Sequence, residues 1–223
     1  MTFTQIMHVK VRDIWAKTHR HPFIAGIGTG ELPKEVFIRY MKQDYIFLIE
    51  YSRLFALGVL KARDVQNMSA FSAILNETLH SEMELHRKYA REFAISIRDL
   101  EDSSPTPINL AYTGFMLNAG QNGSLAELAA ALLPCMWSYW EIGNMLKEKY
   151  PGSDAHPLYG EWVTMYASEE FGKSAKWLIN LLDSLADGQP KVEIENLTNL
   201  FITSSRFEYL FWDSVYKGDD WPV

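Results

Sequence analysis

The chain has 223 residues, 48% hydrophobic, 13% aromatic and 22% charged, with a formal net charge of −7 and a pI near 5.4. That length can bury a sufficient core as one domain without disulfides or a structural metal, and the composition excludes a disordered chain. The acidic balance excludes the basic surface that phosphates require, no apolar run reaches the ~18 residues of a membrane span, and the lone cysteine excludes an internal disulfide.

The opening "MTFTQIMHVKVRDIWAKTHRHPF" mixes polar and charged residues too early for a secretory signal, so a cytoplasmic location is expected, without nucleic-acid or membrane partners. Gly and Pro punctuate the chain at "GIGTGELP", "SSPTP", "AGQNGS", "YPGSDAHP" and "DGQP". Between them the spacing is helical, never alternating. It predicts helices over 3–19, 33–63, 66–94, 106–119, 125–149, 157–168, 169–186 and 191–216. The fold class is therefore all-α, a single bundle.

The helix from 33 opens on Pro33, a first-turn residue with preset φ. Its face runs Phe37, Tyr40, Met41, Phe47, Leu48 and Tyr51, with Asp44 in the middle, where a solvated carboxylate does not belong. The next helix places Glu82 and His86 one turn apart, on a stripe of Phe71, Leu75, Thr78, Leu85, Tyr89 and Phe93. That spacing suits two ligands of a carboxylate-bridged di-iron site, or a structural polar pair. The other histidines do not repeat it, which favours the pair and no metal.

The helix from 125 begins at a Ser124/Glu127 capping box and carries the only cysteine. Leu125, Leu128, Leu132, Cys135, Tyr139, Ile142 and Leu146 form its inward face, so the thiol points to the core. Pro134 cannot donate to the carbonyl of Ala130, which predicts a kink where the thiol projects. By itself a buried thiol is packing more often than nucleophile. In the last helix the stripe Leu197, Phe201, Ser204, Glu208, Phe211 and Val215 includes a second acid among aromatics. Desolvation favours the protonated form of such a carboxyl. Each acid taken singly also fits a buried ion pair, but a thiol, two acids and several tyrosines on core faces of three helices suit a polar pocket inside the bundle.

The blocks "HPFIAGIGTGELPKEVFIRYMKQDYIFL", "EMELHRKYA", "AALLPCMWSYWEIG", "HPLYGEWVTMYASEEF" and "FEYLFWDSVY" together resemble the TenA, or thiaminase II, family from about His21 to Tyr216. The resemblance implies a heme-oxygenase-like helical bundle, a homotetramer, no metal and no cofactor. It also implies hydrolysis of 5-substituted-methyl-4-amino-2-methylpyrimidines to hydroxymethylpyrimidine in thiamin salvage, with ammonia or the thiazole of thiamin as leaving group. By the same resemblance Cys135 is the nucleophile that adds to the ring and Glu208 protonates a ring nitrogen. Asp44 binds the amino edge, Phe47 stacks, and Tyr112, Tyr139 and Tyr166 bind substrate or orient these groups. Phe47 stands where the family has tyrosine, which removes a hydroxyl from the leaving-group side. Two other functions would use the same fold: a di-iron oxygenase built on Glu82 and His86, and a non-catalytic pyrimidine-binding regulator.

Overall fold

The computed structural model describes residues 1–223 and contains no strand. Its helices are α1 (Phe3–His19), α2 (Pro22–Thr29), α3 (Lys34–Lys61), α4 (Val65–Glu77), α5 (Met83–Glu92), α6 (Ile97–Glu101), α7 (Pro107–Asn122), α8 (Leu125–Lys149), α9 (Gly160–Tyr166), α10 (Glu169–Ala186) and α11 (Lys191–Lys217). A π-helical turn, Thr78–Glu82, joins α4 to α5, and a 3-10 turn, Ser153–Ala155, precedes α9.

Local chemistry starts and stops these helices as expected. Ser124 Oγ accepts from the Glu127 amide at 3.3 Å while Glu127 Oε2 accepts from the Ser124 amide at 2.6 Å, the reciprocal capping box of α8. Thr2 and Gln5 do the same for α1. Gly30 closes α2 at φ +76°, a left-handed conformation that costs glycine little.

Helix α8 is the axis of the bundle. It packs against α11, α10, α7, α9 and α3, while α3 also holds α4, α5, α7 and α11. Every residue from Leu128 to Met136 is buried, which only a helix surrounded on all sides tolerates. The buried hydrophobic side chains form one contiguous cluster of 53 residues, so the chain has a single core. No helix is long and apolar enough to cross a membrane.

Three elements depart from the sequence reading. Helix α2 forms where "FIAGIGTG" reads as turn, and the glycines serve packing: a Cβ on Gly28 would lie 2.3 Å from the Tyr150 ring. Short α6 forms from a Ser96/Asp99 capping box beside the Pro-rich "SSPTP". The helix expected over 66–94 is broken by the π turn, in which the Met83 amide bonds to the Thr78 carbonyl five residues back. One extra residue shifts the helical phase by about 100°. Glu82, in phase with Phe71 and Thr78 on the expected stripe, faces the interior beside α8.

Candidate active site

Where α3, the π turn, α8, α9 and the start of α10 converge, a small, narrow cavity is lined by Asp44, Phe47, Leu48, Tyr51, Glu82, Cys135, Met136, Tyr139, Tyr166 and Phe171. Of the residues expected from sequence, Asp44, Phe47, Cys135, Tyr139 and Tyr166 are on its wall. Glu208 and Tyr112 are not wall residues. They are buried just behind it, and the charge of Glu208 acts on both Cys135 and Tyr112.

Asp44 is held by a dense set of partners. Its Oδ2 accepts from Tyr40 Oη at 2.9 Å and lies 2.8 Å from His86 Nε2, and its Oδ1 accepts a longer bond of 3.4 Å from Tyr139 Oη. Tyr40 is fixed in turn by Trp162, whose indole N–H donates to Oη at 2.9 Å. The ring of His86 is oriented by its other nitrogen: Nδ1 is 2.9 Å from the Glu82 carbonyl, which can only accept, so Nδ1 carries a proton. Burial opposes ionisation of His86, but the hydrogen bond and negative charge of Asp44 outweigh it and raise the histidine pKa. Nε2 therefore donates to Asp44 as part of an imidazolium. Oδ1, bound only weakly, is the oxygen left to take an N–H donor from a ligand.

Glu208 contrasts with this. Desolvation, then the charge of Asp44, raise its pKa to about 8, and a hydrogen bond with Ser138 offsets only part of that. Ser138 Oγ lies 3.2 Å from both Glu208 Oε2 and the carbonyl oxygen of Cys135. With Glu208 protonated, the acid can donate to Ser138 while Ser138 donates to the carbonyl, and both bonds are satisfied. Cys135 is buried, and its thiol is pushed well up by desolvation and by the charges of Glu208, Asp44 and Glu82. The thiol is protonated at rest and must lose a proton to act as nucleophile.

The walls are aromatic. Phe47 stacks on Tyr51 with centroids 5.3 Å apart and leans on Tyr112 at the same separation. Tyr139 and Tyr166 meet at 4.7 Å. That approach depends on Gly143, where a Cβ would come within 2.6 Å of the Tyr166 backbone. Helix α8 stays continuous through Pro134, and beside the proline the carbonyls of Ala131 and Leu132 accept from Ser204 Oγ at 2.6 Å and Tyr51 Oη at 2.9 Å. Since the single Ser204 proton goes to Ala131, Tyr112 Oη is the donor of its 3.1 Å bond to Ser204.

Glu82 and His86 belong to this site and not to a separate centre. Both nitrogens of His86 are engaged by Asp44 and the Glu82 carbonyl, and Glu82 Oε1 accepts from Tyr166 Oη at 2.7 Å. No group of three or more His, Cys, Asp or Glu side chains is placed to hold a metal ion. Tyr40, Tyr51, Ser138 and Trp162 are further members that sequence reasoning had assigned only to packing or not singled out. Their apolar rings hide hydroxyl and indole groups whose partners lie on other helices.

Residues 8–218 match the model of the TENA/THI-4/PQQC family. The chain is 50% identical to the aminopyrimidine aminohydrolase of Halalkalibacterium halodurans over 99% of this chain and 98% of that protein. It is 44% identical to the aminopyrimidine aminohydrolase of Helicobacter pylori, over 98% and 100%. The fold superposes on a TenA homologue from P. horikoshii with a TM-score of 0.87 at 30% identity, covering 98% of this chain and 100% of that one. At 14% identity it still matches a Shewanella denitrificans domain of heme-oxygenase-like fold with a TM-score of 0.76, over 98% and 93%, a likeness of fold alone. With an unbroken match over nearly its whole length and the heme-oxygenase-like architecture, the chain belongs to the TENA/THI-4/PQQC family.

Proposed function

We propose that the protein is an aminopyrimidine aminohydrolase that converts 5-aminomethyl-4-amino-2-methylpyrimidine and water to 4-amino-5-hydroxymethyl-2-methylpyrimidine and ammonia through a Cys135 adduct. The observation that carries this reading is a small aromatic cavity walled by a buried thiol and a carboxylate with one oxygen open to a ligand, with a protonated acid buried behind it. A flat aminopyrimidine is complementary to that set. Asp44 Oδ1 accepts from its exocyclic amino group, Phe47 stacks on the ring, and Tyr139 and Tyr166 border the opposite side.

Glu208, with a pKa of about 8, holds at neutral pH the proton that a ring nitrogen needs to become electrophilic. As that proton passes to the ring, the sulfur of Cys135 bonds to a ring carbon and the thiol proton passes to the carboxylate of Glu208. The net change is addition of S–H across a ring C=N bond, with Glu208 left in its acid form. The adduct expels the substituent on the neighbouring methylene, water replaces it, and the thiol is released by reversal of the addition. No metal or cofactor enters these steps.

The test is direct. The purified protein should release hydroxymethylpyrimidine and one equivalent of ammonia from the aminomethyl compound, and Cys135→Ser should lower kcat by at least about 10³-fold, the scale of losing a covalent nucleophile. Turnover by Cys135→Ser at the wild-type rate would remove the adduct mechanism. Running thiamin and the formylaminomethyl compound beside it, with the same preparation, ranks the leaving groups.

A further inference from the structure

Two cavities meet at Glu82. Besides the inner one, a wider cavity opens toward solvent between α4, the π turn and α10, and the two share only Glu82, Met136 and Phe171. Of the acids on either wall, Asp44 faces only the inner cavity, Glu77 and Glu170 only the outer, and Glu82 both. Tyr166 Oη holds Oε1 of Glu82 at 2.7 Å, and no other protein donor reaches the carboxyl. Oε2 is thus free at the junction through which a leaving group departs and water enters.

We propose that Glu82 is the base of the hydrolytic half-reaction, accepting the proton of the water that replaces the departing substituent. This rests on the aminohydrolase reading above. In the Cys135 adduct the methylene C–N bond breaks and its electron pair leaves on ammonia. The oxygen of a water at the junction bonds to the methylene carbon, and its O–H proton passes to Oε2 of Glu82. Glu82 then gives that proton to the ammonia, which leaves as ammonium through the outer cavity. Protonated aminomethylpyrimidine and water thereby yield the alcohol and ammonium, with Glu82 restored.

The electrostatics agree. Desolvation and the charge of Asp44 raise the Glu82 pKa to about 7, against the Tyr166 hydrogen bond and the positive charge of His86, so the group exchanges protons near neutrality. The titratable groups around it are Asp44 and Tyr51 from α3, Glu77 from α4, His86 from α5, Cys135 from α8, Tyr166 from α9 and Glu170 from α10. Burial keeps Cys135, Tyr51 and Tyr166 neutral in that range. Asp44 carries two close donors on Oδ2 and its Oδ1 takes the ligand's amino group in this reading, which leaves Oε2 of Glu82 the free carboxylate oxygen where the two cavities meet.

The experiment compares wild type, Glu82→Gln, Glu82→Asp and Tyr166→Phe with the aminomethyl compound between pH 5 and 9. Melting temperature and hydroxymethylpyrimidine affinity serve as folding controls. In wild type, kcat should fall as pH drops through about 7, as Glu82 gains its proton. Glu82→Gln should lower kcat about 10²-fold or more with KM little changed, and should lose that acidic limb. Glu82→Asp should keep the limb at a reduced kcat, and Tyr166→Phe should move it to higher pH by removing the bond that favours the carboxylate. Wild-type kcat and an intact limb in Glu82→Gln, or an unmoved limb in Tyr166→Phe, would overturn the role of Glu82 while leaving the aminohydrolase reading in place. A wild-type protein that releases no alcohol from any aminopyrimidine would overturn both.

Discussion

Asp44, on the cavity wall, and Glu208, buried behind it, are acids of equal burial, each 2% exposed, yet their surroundings differ in kind. Asp44 receives Tyr40 and Tyr139 hydroxyls and the His86 imidazolium, with Trp162 bracing Tyr40. Glu208 has only neutral hydroxyls, those of Ser138 and Tyr112, and no cation. The number and charge of the donors, not the depth of burial, decide what a buried acid does. A carboxyl whose lost hydration is replaced by fixed donors becomes a rigid acceptor for a ligand. One left short of donors is pushed to a pKa of about 8 and becomes a proton carrier. The cavity therefore divides into a binding side and a proton-transfer side, with Cys135 between them.

Removing the carrier should have the larger effect on catalysis. Glu208→Gln keeps the shape but cannot give up a proton, so kcat should fall by about 10²–10⁴-fold, measured against the aminomethyl compound. In wild type, activity should fall as pH rises through about 8, where Glu208 loses the proton the ring must receive. The same group makes stability depend on pH. Its folded pKa lies above the unfolded value, so the folded state binds the extra proton and the stability it provides is lost as pH rises through about 8. Urea unfolding at pH 5 and pH 9 should show wild type weaker at the higher pH, and Glu208→Gln should flatten that difference. Equal slopes in the two proteins would mean that Glu208 is not the protonated member.

The binding side should respond in stability instead. His86→Ala strips Asp44 of its charged partner and leaves a buried carboxylate uncompensated, at a cost of about 3–5 kcal/mol. Ser138→Ala removes one neutral hydroxyl from Glu208 and should cost about 1 kcal/mol. Thermal melts of the two variants decide the matter: comparable losses would mean that the two acids are held alike and the division of the cavity is wrong.

The binding and proton-transfer sides were not equally legible in the sequence. Asp44, Cys135 and Glu208 stand out because each is a polar residue on an apolar stripe, and that pattern survives in the structure. Glu82 and His86 were visible as a pair, but their purpose was not, since the partner of His86 is Asp44, 42 residues away on another helix. Spacing reports neighbours on one helix and says nothing of which groups meet across a bundle. The same limit hid Tyr40, which reads as one more ring on the stripe until Trp162 and Asp44 are found on either side of its hydroxyl. The π turn had no signal in the chain, because no Gly or Pro interrupts residues 65–93.

The boundary between the two sides runs through α8, and Pro134 tests how sharply it is drawn. Proline inside a helix leaves the Ala130 carbonyl without its backbone donor and crowds it, one residue before Cys135. Ser204 and Tyr51 hydroxyls bond the next two carbonyls, so the neighbouring helices hold α8 beside the proline. In Pro134→Ala the amide donor returns, so the helix gains a hydrogen bond and a better helix former while leaving a small void where the ring packed. These effects oppose each other, and the melting temperature should move by only a few degrees. If the proline sets the path of α8 at Cys135, however, a regular helix displaces the thiol, and misplacement by about 1 Å costs up to ~10²-fold in rate. A kcat reduced on that scale, with hydroxymethylpyrimidine affinity retained, assigns the proline to aiming the thiol. An unchanged kcat would mean that the surrounding helices alone fix Cys135 and that Pro134 is packing.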